Sequence, residues 1–224
     1  MLNKSHMERP GYTLQCLDTT IPLEAYLRDC VDVPRFLEQC QRCPNYDTRW
    51  SCPSFSFDPM EIWRKYDTLR IVGSVLVFYP DCGTKEGLDA LKEEKNALMT
   101  ELLAMEQSRP GSLALSAGTC ELCPEGCSKP SGTPCRKPEQ MRYSIEALGG
   151  NVSLTAERYL DTPLLWMNGH ELPKYLALIG GRLIRHSDGE EVSAHGGDLP
   201  SFQFYLHISG AGDSHGLRPQ RHPP

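Results

Sequence analysis

Residues 68–80, TLRIVGSVLVFYP, are almost wholly apolar and rich in β-branched side chains, and they stop at Pro80. That is the pattern of a buried strand. Directly afterwards the period changes. Over residues 84–106, Leu88, Leu91, Leu98, Leu102 and Met105 recur at helical spacing while Glu and Lys fill the other face, which predicts a long amphipathic helix. SLALSAG, residues 112–118, reads as a second strand that delivers the chain into Cys120. KPEQMRYSIEALGG, residues 137–150, reads as a helix with Pro138 at its start and glycines at its end. SLTAERYL predicts another helix, capped by Ser153, and YLALIGGRLIRH, residues 175–186, a further strand.

Upstream, TIPLEAYLRDCVDVPRFLEQ, residues 20–39, suggests short helical pieces broken by Pro34, and FDPMEIWRKY a short helix with Asp58 as N-cap and Pro59 at its first position. Strand, long helix, strand, cysteine loop, helix, strand adds up to a compact α/β sandwich of a small sheet with helices, with α+β as the alternative. Residues 1–186 are expected to form one cysteine-rich metal-binding domain, and residues 187–224 a C-terminal extension. In the extension SDGEE reads as a hairpin-like turn, SFQFYLHIS alternates as a strand would, and residues 210–224 have the composition of a disordered tail.

Charge and composition narrow the function. A net charge of −6 over 224 residues argues against a general nucleic-acid binder. No apolar run is long enough to span a bilayer, so no membrane partner is expected. The first residues, MLNKSHMERPGY, lack the apolar region of a signal peptide. The expected location is therefore the cytoplasm.

There the 10 cysteines point to metal binding or redox chemistry rather than to a disulfide framework. Seven fall into two tight groups: Cys40, Cys43 and Cys52, then Cys120, Cys123, Cys127 and Cys135. Short loops that converge several thiolates suit a metal or a cluster.

The second group, CELCPEGCSKPSGTPC, supplies four soft ligands in sixteen residues, the donor set of an iron–sulfur cluster or of structural zinc. Structural zinc usually takes two CxxC pairs set well apart, whereas three close cysteines plus one more, with prolines nearby, resembles cluster ligation. The first group has only three thiols. It needs either a fourth ligand from elsewhere (Cys30 is nearest, and Cys16 or Cys82 could arrive through the fold) or an open coordination position, as in catalytic metal sites. The sequence leans to the open position, because a fourth thiol could have been encoded inside the motif, as it is in the second group. Between the thiols, Tyr46 and Trp50 could shield a cluster and Arg49 could offset thiolate charge; ordinary core packing explains Trp50 equally well.

Cys82, at a strand-to-helix junction in DCGTKEG, is the candidate catalytic thiol, since a helix N-terminus can lower a thiol pKa; a small buried residue is the plainer reading. His170, His186 and His195 stand alone and read as surface or packing residues. No phosphate loop, HExxH, GxSxG or dinucleotide fingerprint is present.

CQRCPNYDTRWSCPSFSFD followed by WRKYD, and CELCPEGCSKPSGTPCRKPEQMRYSIEALGGNV, closely resemble the predicted metal-binding proteins grouped as domain of unknown function 2284. The resemblance runs over roughly residues 20–185 and includes YLALIGGRLI. It implies that Cys40, Cys43 and Cys52 form one metal motif and Cys120, Cys123, Cys127 and Cys135 the other, and it implies an anaerobic setting that suits oxygen-sensitive clusters. One departure stands at the first motif, where Ser54 replaces the second proline of the family's Cys-Pro-Pro. The expected protein carries one or two iron–sulfur clusters of the [4Fe–4S] type and works in electron transfer or cluster-assisted redox chemistry with a redox partner protein or a small-molecule substrate. A zinc-stabilised, non-catalytic binding module is the alternative.

Overall fold

The computed structural model describes residues 1–186. The turn, strand and tail expected beyond Ser187 lie outside the described residues. Five antiparallel strands form one open sheet: β1 (Asn3–Arg9), β2 (Tyr12–Pro22), β3 (Thr68–Phe78), β4 (Ser112–Leu115) and β5 (Tyr175–Ile184), in the order β1-β2-β3-β5-β4. With helices placed between and around antiparallel strands, the fold is α+β.

The expected strands at residues 68–80 and 175–186 are β3, at the centre of the sheet, and its neighbour β5. The N-terminal hairpin β1–β2 was not read from the sequence. Its signal is the Pro10–Gly11 pair, with Gly11 at φ +83° at the corner, the requirement of a type II turn.

Alternate residues of each strand face opposite layers. On one face Leu17, Leu69, Ile71, Val75, Ile179 and Leu183 form the main core with Tyr26, Trp63, Leu148 and Leu160. α1 (Leu23–Cys30) and α5 (Val152–Leu160) pack there. The Trp63 indole donates to the Leu148 carbonyl at 2.8 Å, and the Tyr26 and Thr155 hydroxyls are 2.8 Å apart. The polar ends of two large buried side chains are thereby satisfied.

The other face is covered by α4 (Thr84–Ser108), which buries Gly87, Glu94, Leu98 and Leu102. The helix is where the leucine pattern puts it, but its buried stripe differs: Leu88 is exposed, and Glu94 is buried because Tyr12 donates to it at 2.7 Å and Arg9 lies 3.5 Å away. Acidic residues thus sit on both faces of α4.

Two further expectations change. Pro34 does not break a helix; it lies in the first turn of α2 (Val33–Gln41), where its missing N–H costs nothing, and Asp32 caps that turn by accepting from the Arg35 N–H at 3.2 Å. Residues 137–150 are not a helix. Ser144 bridges to Ser116, the Ser116 N–H donates to the Tyr143 carbonyl at 2.9 Å, and Arg142 is drawn to Glu106 of α4 at 2.7 Å. Pinning this return leg beside the end of β4 overrides its helical period. α5 follows, and its cap is Asn151, which accepts from Leu154 N–H at 3.0 Å, rather than Ser153. The short helix α3 (Met60–Trp63) has Asp58 accepting from the Met60 N–H at 2.9 Å. Among the described residues no helix is long and apolar enough to cross a membrane.

Candidate metal centre

The two cysteine groups hang from the domain core on separate supports. Cys40 ends α2, whose half-buried positions Val33, Phe36, Leu37 and Cys40 make one helical stripe. The chain then loops through Cys43 and Cys52 to α3. The second group leaves the sheet at β4 and returns at Ser144, so the Ser116–Ser144 bridge closes the base of the whole excursion.

These two loops interlock. The Arg49 guanidinium donates to the Cys120 carbonyl at 3.0 Å, the Cys120 N–H donates to the Ser51 hydroxyl at 3.1 Å, and Cys52 Sγ lies 3.3 Å from Thr119 Oγ1. The Trp50 indole N–H reaches both the Ser128 hydroxyl and the Thr133 carbonyl at 3.2 Å. In return, Lys129 donates to the carbonyls of Cys52 and Ser54 at 3.2 and 2.9 Å and pairs with Asp47 at 3.1 Å. An aromatic group ties the loop exits together: Phe55 stacks on Phe57 at 4.8 Å, and Tyr143 meets both edge-on.

Cys120, Cys123, Cys127 and Cys135 all line one cavity, which holds about 350 Å³ of space free of protein atoms when its open mouth is counted. Arg49 and Trp50, from the other motif, line it too. The shielding and charge-offsetting roles suggested for these residues therefore concern the second cysteine group rather than their own. Basic groups gather at the rim, where Lys137 donates to the Leu122 carbonyl at 2.7 Å and Arg136 to that of Gly126 at 2.5 Å. Burial pushes the Cys120 thiol up, and Cys135, Cys123 and Cys127 push it further. Burial likewise pushes the Cys40 thiol up to about 11, with Cys43, Cys52 and Glu146 adding to it. Cys40 and Cys120 therefore ionise reluctantly alone, and a bound cation would relieve that cost.

Among the described residues no three His, Cys, Asp or Glu side chains converge on a point as the ligands of a single ion do. The four thiols of the second group line a cavity. Four Cys around one cavity is the donor set of an iron–sulfur cluster or of structural zinc. The Asn45 N–H points at Cys43 Sγ at 3.5 Å, and the Ser51 hydroxyl lies 3.8 Å from Cys52 Sγ, contacts of the type that tune a metal-bound sulfur.

A scan against protein families matches residues 27–181 to the predicted metal-binding protein family DUF2284. The chain belongs to this family. The matched span contains both cysteine motifs of the DUF2284 domain, the interlock between them, and β3, β4 and β5 as far as Gly181. No curated protein and no solved structure matches the chain.

The three scattered cysteines stand apart from both groups. Cys30 is 3 % exposed within the main core, and its thiol is raised first by burial. Cys16, on β2 beneath α4, is pushed up to about 12 by burial and then by Glu101 and Glu94. Cys82 sits against the hairpin corner, 3.5 Å from where a Cβ on Gly11 would lie, and its sulfur is 3.6 Å from the Gly83 carbonyl. Partial burial raises its pKa, and Glu86 and Asp81 add to the rise, the opposite of what activates a nucleophile. Of the histidines, His186 Nε2 lies 2.6 Å from the Thr68 hydroxyl at the sheet end, and the His170 carbonyl accepts from Thr84 at 2.9 Å. His195 lies outside the described residues.

Proposed function

We propose that this chain is an iron–sulfur protein. Cys120, Cys123, Cys127 and Cys135 hold a [4Fe–4S] cluster, Cys40, Cys43 and Cys52 hold a second cysteine-ligated metal group, and the protein passes electrons to or from a partner protein or a small-molecule substrate. The observation that carries the reading is the cavity shared by all four thiols of the second group, floored by Arg49 and Trp50 of the first. A bound cluster supplies one-electron redox chemistry.

The chain's own residues contribute the rest. Trp50 limits water on one side, while Arg49, Arg136 and Lys137 place positive charge beside anionic sulfur, which favours the reduced, more negative state. The contacts between the two cysteine loops support this reading, since an electron relay is served by metal groups in neighbouring loops.

The test is anaerobic purification followed by iron and sulfide analysis with visible and electron paramagnetic resonance spectra. A brown protein with at least about four irons and four sulfides per chain, bleached by dithionite, is expected. A colourless protein carrying stoichiometric zinc overturns the proposal and leaves a zinc-stabilised binding module.

A further inference from the structure

Among the described residues no strand pairs with the outer side of β1, which ends the sheet. β1 is seven residues long, has no Pro and no bulge, and is exposed at Asn3, Lys4, Ser5, His6 and Glu8. An edge of this kind offers its unpaired N–H and C=O groups to a further strand.

The register shows which groups those are. Just beyond the two ends of the β2–β3 ladder, the Tyr79 N–H donates to the Gly11 carbonyl at 3.0 Å and the Leu23 N–H to the Asp67 carbonyl at 2.9 Å. β2 therefore bonds to β3 through its odd-numbered residues and to β1 through its even-numbered ones, because antiparallel residues bond alternately to the two neighbours. The partners of those even-numbered residues on β1 are Asn3, Ser5, Met7 and Arg9. The N–H and C=O of Lys4, His6 and Glu8 point outwards.

One antiparallel register matches these outward residues to themselves. A twofold axis at His6 sets Lys4 opposite Glu8 of a second copy, His6 opposite His6 and Glu8 opposite Lys4, with a pair of main-chain hydrogen bonds at each position. All these side chains lie on one face of the sheet, so opposite charges meet at both ends of the seam. Moving the axis to Ser5 sets Lys4 opposite His6 and Glu8 opposite Leu2, outside the strand. Moving it to Met7 sets Lys4 opposite Pro10, which has no N–H. The charges are free to make the cross-strand pairs: the Lys4 side chain is 53 % exposed in its contact with Asp161, and the bonds that Glu8 accepts from Thr13 and Tyr79 both go to Oε2.

We propose that β1 is a self-pairing edge through which two copies of this chain join antiparallel, centred on His6, into one continuous sheet. The seam is narrow and polar, so the association is of the reversible, transient class. The second cysteine loop leaves from β4, at the opposite edge of the sheet, and pairing through β1 keeps that loop of each copy away from the seam. The pairing holds whichever metal the cysteines bind.

The test is sedimentation of the full chain over a range of concentrations, as wild type and as His6→Pro, Lys4→Glu and Glu8→Lys. Wild type is expected to show a monomer–dimer equilibrium. His6→Pro removes the central outward N–H and leaves the bonds to β2 in place, since an edge strand tolerates Pro where its N–H faces outwards. Its dimer should be weaker by about tenfold or more, with the Ser5 and Met7 amides still protected from hydrogen exchange. Lys4→Glu and Glu8→Lys each set like charges opposite one another and should each weaken the dimer, whereas an equimolar mixture of the two sets opposite charges at both ends and should form the mixed dimer.

A wild-type chain that stays monomeric up to about 1 mM overturns the proposal; if its Lys4 and Glu8 amides nonetheless resist exchange, the edge is occupied by another part of the same chain. A dimer that His6→Pro leaves unchanged, or a mixture that associates no better than the separate variants, assigns the contact to another surface and overturns it as well. His6→Pro alone decides the question if Glu8→Lys, which gives up Thr13 and Tyr79, fails to fold.

Discussion

The Arg49 guanidinium of the first cysteine loop donates a 3.0 Å hydrogen bond to the backbone carbonyl of Cys120, the residue that opens the second. A side chain between the thiols of one motif thus orders the entrance of the other, and with Trp50 it lines the other motif's cavity. The two cysteine loops are structurally coupled, so damage to one should be felt across the interlock.

Arg49→Ala tests that coupling. The bond comes from a charged donor in a half-buried setting and contributes on the order of 1.5 kcal/mol, which is roughly a tenfold change in an equilibrium. The expected outcome is metal lost from the four-cysteine site at about tenfold lower chelator concentration, although no ligand of that site has changed. Competition with a chelator, followed in the visible spectrum, measures it. Unchanged competition would mean that the loops touch without supporting each other.

Cys123→Ala and Cys135→Ala should each abolish metal at the four-cysteine site and lower the melting temperature. The loop from Pro124 to Pro134 has few buried apolar residues and one short 3-10 turn, Lys129–Ser131, so much of its order must come from ligand bonds. Cys30→Ala should behave oppositely, keeping its metal while losing about 1 kcal/mol of core packing. Metal analysis paired with thermal melts separates the two patterns.

Why the cysteine groups were legible and their surroundings were not is a matter of range. Thiol spacing is local, so both cysteine groups could be read directly, as could β3 and α4, whose periods are local too. The service that Arg49 and Trp50 give to the other motif depends on two loops meeting in space, and no local pattern encodes it. Glu146 was hidden for a related reason: within SIEALGG it reads as the polar face of a helix, and only the pinning of Ser144 to Ser116 turns that segment into a loop that buries its Oε2. The lone acid in an apolar run was the available signal. Glu94 shows the same effect, since its burial is explained only by Tyr12 and Arg9 on strands that the leucine pattern of α4 does not mention.

Glu101, on the sheet-facing side of α4, gives a pH prediction. Burial, opposed by Arg70 and helped by Asp18, raises its pKa to about 7. Its folded value lies above its unfolded one, so the folded state binds the proton more tightly. The protonated carboxyl therefore favours folding fully below about pH 4.5, and the benefit is lost as pH rises through about 7. Glu101→Gln removes this dependence. Its melting temperature should match wild type near pH 5 and exceed it at pH 8. A constant difference across that range would show that Glu101 does not titrate in the folded protein.

The central claim, that the four thiols of the second cysteine group hold a polynuclear iron group, is tested most directly by X-ray absorption on the anaerobically purified chain at the iron and zinc edges. The account predicts an iron edge, a first shell dominated by sulfur and a second shell of iron neighbours, which only a cluster produces. A zinc edge with four sulfurs at about 2.3 Å, no metal neighbour and no iron would contradict it.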